Sequence, residues 1–272
     1  MGFAKYQEDN YSRYHGTSIV RRDEHDRFAP ESDTKKSTSQ GTPKKMNTSK
    51  LKDFTVAEAR PLPVIVLADV SGSMSVDGKI EALNQALQEM IRGFASESRT
   101  RAEIQVGLIT FGGELAKVHL PLAPAHQISE VKPLRADGRT PMGAAFSEAC
   151  KLIEDKERIP SRAYRPVLIL VSDGHPTDIW EQEFDALCGS ERAQKATRFA
   201  MAIGADADLD MLGRFANDKE SPVFKAHEAR DIHRFFRAVT MSVTARSRSA
   251  SPNAGAPLIL AAIPDDDLDL DF

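Results

Sequence analysis

A chain of 272 residues, of which 41% are hydrophobic, is long enough for one sizeable domain with tails or for two small domains. Its formal net charge of −4 gives no overall attraction to nucleic acid, and its apolar runs fall short of the roughly 18–20 residues that cross a bilayer. We therefore expect neither nucleic acid nor a membrane as a partner.

The start of the chain and its cysteines bear on the compartment. The first residues, "MGFAKYQEDN", lack the apolar stretch of a signal peptide. Cys150 and Cys188 lie in predicted helices without the spacing of a disulfide framework, so we expect buried, unpaired thiols. Both observations favour a cytoplasmic location.

The N-terminal segment has the composition of a disordered arm. It is rich in Ser, Thr, Lys, Asp and Glu, and "ESDTKKSTSQGTPKKMNTSK" follows neither the helical nor the strand period. Such a segment cannot bury enough apolar surface to offset the entropy that ordering would cost. We predict a mostly disordered polar arm over residues 1–55.

The first half of the following domain begins with a continuous apolar run, Val64–Ala68, which is typical of a parallel strand buried on both faces. Residues 79–98 carry apolar side chains at helical spacing, and residues 102–111 form a second predicted strand. The "GG" that follows indicates a tight turn into a third strand at 114–122, antiparallel to the second.

The second half alternates helices and strands. A helix at 140–158 is predicted to have Thr140 as its N-cap, and residues 166–172 form another doubly buried strand. The remaining elements are a helix from about 181, a strand at 197–203, a helix at 208–217, a strand at 222–225 and a helix at 229–247.

This alternation predicts a Rossmann-like, doubly wound α/β fold, with a mostly parallel sheet and one antiparallel edge strand. The predicted domain covers residues 60–247. Residues 248–272 form a Ser/Ala/Pro/Gly linker and an acidic tail.

Three short stretches place oxygen-bearing side chains at strand ends or in loops that leave the sheet. Asp69, Ser71 and Ser73 follow the first strand in "DVSGS", Thr140 lies in "ADGRTPMG", and Asp173 follows the strand "LILVS". Ligand crevices of open parallel sheets lie outside the carboxyl ends of the strands, so we expect these side chains to converge. An all-oxygen set suits Mg²⁺, with Mn²⁺ or Ca²⁺ as alternatives, and disfavours Zn²⁺.

In this order, the three stretches resemble the von Willebrand factor A (VWA) domain and its metal-ion-dependent adhesion site (MIDAS), written D-x-S-x-S, then T, then D. The resemblance extends over the whole predicted domain. It implies that Ser71, Ser73 and Thr140 contact the metal directly, whereas Asp69 and Asp173 act largely through water or through other ligands. It also implies that a partner protein supplies a Glu or Asp to the sixth position.

A narrower likeness concerns "VSDGHPTDIW" and "FFRAVTMSVTARSRSAS". Both are similar to segments of the bacterial tellurium-resistance-associated VWA proteins, the TerY/YegL-like group. That likeness implies a cytoplasmic protein of a stress-response or phosphorylation-linked system, with a Ser/Thr kinase and a PP2C-type phosphatase as associates. The long N-terminal arm departs from the compact form of the group.

Two alternatives to an interaction module stay open: a Mg²⁺-dependent phosphohydrolase, and a scaffold whose metal only stabilises the fold. A haloacid-dehalogenase-type site needs a second Asp two residues after the first, where this chain has Ser71. The sequence also lacks a P-loop, a dinucleotide glycine fingerprint after the first strand and a nucleophile elbow. We therefore predict a metal-dependent protein-interaction module and no enzyme.

Three further positions invite an interpretation. His175 is expected to form hydrogen bonds or lie exposed, and not to act as a catalytic acid or base. Asp178 is expected to cap the helix that begins near Trp180. The terminal "DDDLDLDF" has the composition of a solubilising tail, yet its Leu/Asp alternation has the period of a strand. We hypothesise that it is a recognition peptide, and that one of its aspartates fills the metal site of the same or a neighbouring copy.

Overall fold

A computed structural model describes residues 59–217 and 223–254 of the chain. The predicted arm at 1–55 and residues 255–272 of the tail lie outside these ranges, as does Pro222 at the start of the last predicted strand. The described strands are β1 (Arg60–Asp69), β2 (Ala102–Gly112), β3 (Leu115–Pro124), β4 (Val167–Ser172), β5 (Thr197–Ile203) and β6 (Phe224–Ala226). The helices are α1 (Lys79–Ala95), α2 (Met142–Glu154), α3 (Glu181–Gly189), α4 (Glu191–Lys195), α5 (Leu209–Phe215) and α6 (Ala229–Arg248).

The strands form one sheet in the order β3-β2-β1-β4-β5-β6. All neighbours pair in parallel except β2 and β3, which form the antiparallel hairpin at one edge. The predicted Rossmann-like, doubly wound sheet with one antiparallel edge strand is confirmed. Because the chain builds outward from β1 in one direction and from β4 in the other, the topological switch point lies between these two strands.

Helices cover both faces of the sheet, which explains the continuous apolar runs of the central strands. On one face, Val64 and Val66 pack in a core that includes residues of α1 and α6. On the other, Ile65 and Leu67 pack in a core that includes residues of α2, α3 and α5. A strand with apolar contacts on both faces needs apolar residues at every position, not at alternate ones.

Several element bounds and burial assignments differ from the sequence predictions. The helix predicted at 140–158 begins at Met142, and its N-cap residue is Pro141, not Thr140. Cys150 and Cys188 are unpaired, as expected, but each is only half-buried. Within the described ranges, the helices are too short or too polar to span a bilayer.

Candidate metal-binding site

Asp69 is the last residue of β1 and is fully buried. Its Oδ1 accepts a hydrogen bond from the Ser71 amide at 2.8 Å, and its Oδ2 accepts one from the Ser172 hydroxyl at 2.6 Å. Burial raises the pKa of Asp69 above its ordinary value, and the hydrogen bonds from Ser172 and Ser71 act in the opposite direction. The two donors hold the carboxyl group in a fixed orientation at the switch point of the sheet.

The two serines of the first stretch connect Asp69 to the loop after β4. The Ser71 and Ser73 hydroxyl oxygens lie 3.0 Å apart, and the Ser73 hydroxyl donates to Oδ1 of Asp173 at 2.7 Å. Both serines lie at a short 3-10 turn, whose Met74 is fully buried in the core. The buried methionine anchors the turn, whereas the Ser73 side chain is exposed to solvent.

Asp173 also forms an ion pair that the sequence analysis missed. The Lys79 ammonium lies 2.8 Å from Oδ2 of Asp173, whose side chain is fully buried. Lys79 is the first residue of α1, where a positive charge is unfavourable next to the positive end of the helix dipole. A lysine at the start of a predicted helix is therefore the feature of the sequence that could have indicated this ion pair.

Thr140 lies in a segment that backbone hydrogen bonds connect to both of the other stretches. The Gly72 amide donates to the Gly138 carbonyl at 2.9 Å. The Thr140 amide donates to the Thr177 hydroxyl, and the Thr177 amide donates back to the Thr140 carbonyl, both at 3.0 Å. Thr140 is 6% exposed. These bonds hold its backbone in the loop, which explains why it is not the N-cap of α2.

Gly138 makes this connection possible. Its φ of +65° lies in the left-handed region, and a Cβ at this position would lie 2.5 Å from the Gly113 Cα. The Gly113 amide donates to the Asp137 carbonyl at 2.7 Å, so the β2–β3 turn and this segment pack backbone to backbone.

Asp178 caps α2, so the prediction that it caps the helix near Trp180 was wrong. Its two carboxylate oxygens accept hydrogen bonds from the amides of Gly143 and Ala144, each at 3.0 Å. The N-cap of α3 is Trp180, without a side-chain capping bond. A Cβ on Gly143 would lie 2.5 Å from the Ile179 carbonyl oxygen, so the glycine permits the close approach of the Asp178 loop.

His175 is exposed and forms a hydrogen bond, as expected, and Trp180 packs against neighbouring side chains. The His175 side chain is 70% exposed, and its Nδ1 lies 3.2 Å from Oδ2 of Asp208, the N-cap residue of α5. The Trp180 ring packs edge-on against Phe184 with a centroid separation of 5.5 Å, and the Arg214 guanidinium lies over it.

The chemistry of the donor set fits a hard divalent cation. The structure brings together Asp69, Ser71, Ser73 and Asp173 through direct hydrogen bonds, and attaches the Thr140 segment to the same loops. In the described part of the chain, no three His, Cys, Asp or Glu side chains form a metal-binding group. Carboxylate and hydroxyl oxygens suit Mg²⁺, Mn²⁺ or Ca²⁺ better than Zn²⁺.

The sequence profile of the von Willebrand factor type A domain matches residues 64–238, more than half of the chain. No curated protein matches the chain in sequence at a significant level.

Solved structures with a similar fold come from animals and bacteria. Proximal thread matrix protein 1 from the mussel byssus aligns with 69% of this chain and 49% of its own, with 20% identity and a TM-score of 0.55. The same mussel protein with a zinc-occupied MIDAS motif aligns with 70% of this chain and 49% of its own, with 19% identity and a TM-score of 0.53. A von Willebrand factor type A protein from Catenulispora acidiphila aligns with 68% of this chain and 42% of its own, with 22% identity and a TM-score of 0.54. The chain thus spans half or less of these structures, and the likeness shows the fold alone.

The cap on α2 yields a first prediction. Replacing Asp178 by Ala removes two charge-assisted hydrogen bonds at a helix N-terminus and is expected to lower the free energy of unfolding by about 1–2 kcal/mol in urea titrations. Asp178→Asn keeps an acceptor oxygen and should lower the free energy of unfolding less than Asp178→Ala does. Equal stability of Asp178→Ala and the unmodified protein would contradict the capping role.

Proposed function

Because the chain belongs to the von Willebrand factor type A domain family, whose members are metal-dependent adhesion and protein-interaction modules, we propose that it binds an acidic group of a protein partner through a divalent cation. The cation is held by the loops that follow β1 and β4, together with the Thr140 segment. Ser71, Ser73 and Thr140 coordinate it directly. Asp69 and Asp173 act through water or through hydrogen bonds to these ligands.

The observation that carries this proposal is the hydrogen bond between the Ser73 hydroxyl and Asp173, two residues that are 100 positions apart. It joins the loops after β1 and β4 into one oxygen cluster at the switch point of the sheet, where α/β proteins bind ligands. Mg²⁺ is the proposed ion, with Mn²⁺ and Ca²⁺ as alternatives, since the donors are all oxygens and two of them belong to carboxylates.

The burial of the donors suits an acidic partner. Both carboxylates, Asp69 and Asp173, lie inside the protein, whereas Ser73 is exposed. An approaching Glu or Asp therefore meets the neutral Ser73 hydroxyl first, while both carboxylates are buried deeper in the protein. The cation faces solvent with an open position, which the partner's carboxylate completes.

The geometry favours binding over phosphohydrolase chemistry. A nucleophilic Asp must be accessible to its substrate, but Asp69 is fully buried, and both of its oxygens accept hydrogen bonds from Ser71 and Ser172. The position where an acid–base Asp is required is Ser71. We therefore propose a module without catalytic activity. A scaffold whose metal only stabilises the loops is the second candidate, and dependence of partner binding on the metal separates the two.

The finer assignment is to a bacterial stress-response system of the TerY/YegL-like, tellurium-resistance-associated kind. It is supported by the sequence of the loop "VSDGHPTDIW" and of the C-terminal helix region. In this proposal the protein is cytoplasmic and works beside a Ser/Thr kinase and a PP2C-type phosphatase, with one of them or a shared target as the partner.

The acidic tail is proposed as a second contact for self-association. Strand β3 lies at the edge of the sheet and exposes Leu115 and Val118. The strand period of "DDDLDLDF" suits addition to such an edge, with an aspartate of the tail as a ligand for the metal site of the same or another copy.

Metal binding is tested with two serines of the same turn. Ser73→Ala removes a proposed ligand and is expected to weaken Mg²⁺ or Mn²⁺ binding roughly tenfold or more in calorimetric titrations. Ser75→Ala is the matched control, because its exposed hydroxyl donates to the Gly72 carbonyl at 2.7 Å and faces no carboxylate in the cluster. Absence of metal binding by the unmodified protein, or equal effects of the two substitutions, would refute the proposed ligands.

Partner binding is tested by affinity capture from the native cell, read by mass spectrometry. We expect a specific set of proteins, including a kinase or phosphatase, to be recovered with Mg²⁺ and lost with EDTA or with Asp69→Ala. Deletion of residues 258–272 is expected to reduce recovery of untagged copies of the chain. Capture unaffected by EDTA would refute the role of the metal, and unchanged self-association would refute the role of the tail.

A further inference from the structure

The Lys79 side chain places a positive charge inside the candidate metal site. Its ammonium lies 2.8 Å from Oδ2 of Asp173, and the lysine side chain is 20% exposed. A Cβ on Gly204, which directly follows β5, would lie 3.8 Å from the same ammonium. The charge thus lies at the carboxyl ends of β4 and β5, next to the oxygen cluster.

Lys79 lies at a helix end that does not favour a positive charge. Lys79 begins α1, where its charge opposes the helix dipole, and no side chain caps this end of the helix. The two preceding residues, Asp77 and Gly78, have φ values of +56° and +68°. Gly and Asp are among the residues that enter this region most readily, so the departure from local preference is the charge of Lys79 at the start of the helix. The ion pair with Asp173 is the contact that this arrangement makes possible.

The ion pair leaves the rest of the cluster intact. Lys79 uses Oδ2 of Asp173, whereas the Ser73 hydroxyl uses Oδ1, so both contacts exist together. Two carboxylates and one ammonium give the site a charge of −1. A divalent cation then makes it +1, while the same site without the lysine would be neutral.

We propose that Lys79 sets the affinities of the site in opposite directions, weakening metal binding and strengthening the capture of an acidic group. This inference rests on the proposed function. The ammonium repels an incoming cation, and the same charge attracts a carboxylate once the cation is bound. Lys79 is therefore a specificity-determining residue, not a metal ligand.

The first test is calorimetric titration of the full chain with Mn²⁺ alone. Lys79→Met keeps the length of the side chain and removes its charge, and we expect Mn²⁺ to bind roughly tenfold more tightly. Lys79→Arg keeps the charge, and its affinity for Mn²⁺ should stay close to that of the unmodified protein. The control is Lys151→Met, which removes one charge from an exposed ion pair with Glu148 on α2. It should leave the Mn²⁺ affinity unchanged.

The second test uses acetate as the probe of the open position. Its binding to the Mn²⁺-loaded protein is measured through the relaxation rate of water protons. We expect acetate to bind Lys79→Met several-fold more weakly, although that variant binds Mn²⁺ more tightly. A purely structural role would move both affinities the same way, together with the thermal unfolding temperature.

The outcomes separate this inference from the proposed function. If the unmodified protein binds Mn²⁺ and Lys79→Met binds it equally or more weakly, the role of Lys79 alone is overturned. Lack of Mn²⁺ binding by both proteins overturns the proposed function and this inference together. Binding that appears only in Lys79→Met also overturns both, because the unmodified protein then holds no cation with which to capture an acidic group.

Discussion

The burial of two carboxylates at the carboxyl ends of the two central strands is the constraint on which the site depends. Asp69 and Asp173 lie at the ends of β1 and β4 with almost no exposure. A buried carboxylate is costly unless hydrogen bonds or a positive charge compensate it. The chain supplies Ser71 and Ser172 to the first and Ser73 and Lys79 to the second. These compensating groups bring the loops together, and their arrangement suits a divalent cation.

The fold could be predicted because its signals are local. Apolar runs such as Val64–Ala68 indicate strands covered on both faces, and the adjacent glycines after β2 indicate the hairpin that makes the edge strand. The main residues of the oxygen cluster could be predicted for the same reason. Asp69 and Asp173 each end or follow a buried strand, and parallel strands bring such positions to one edge.

The remaining contacts of the site depend on loops that meet only in the folded protein. Asp178 has the local sequence of a cap for its own helix, yet a close approach at Gly143 lets it cap α2. Thr140 precedes a helix and a proline, yet hydrogen bonds with Thr177 hold its backbone in the loop before α2. Lys79 reaches a carboxylate 94 residues away. In each case a long-range hydrogen bond outweighs the local preference, and no spacing rule gives its partner.

The arrangement also explains how one site can favour metal and acidic partner together. In the proposed function, buried negative charge attracts the cation, the exposed Ser73 hydroxyl gives the partner an uncharged approach, and the Lys79 ammonium keeps the loaded site positive.

The most direct measurement is the anomalous scattering of Mn²⁺ in crystals of the full chain. Our prediction is one anomalous peak among the hydroxyl oxygens of Ser71, Ser73 and Thr140, with Asp69 and Asp173 behind it. A peak at another place, or ordered loops without any peak at millimolar Mn²⁺, would contradict it.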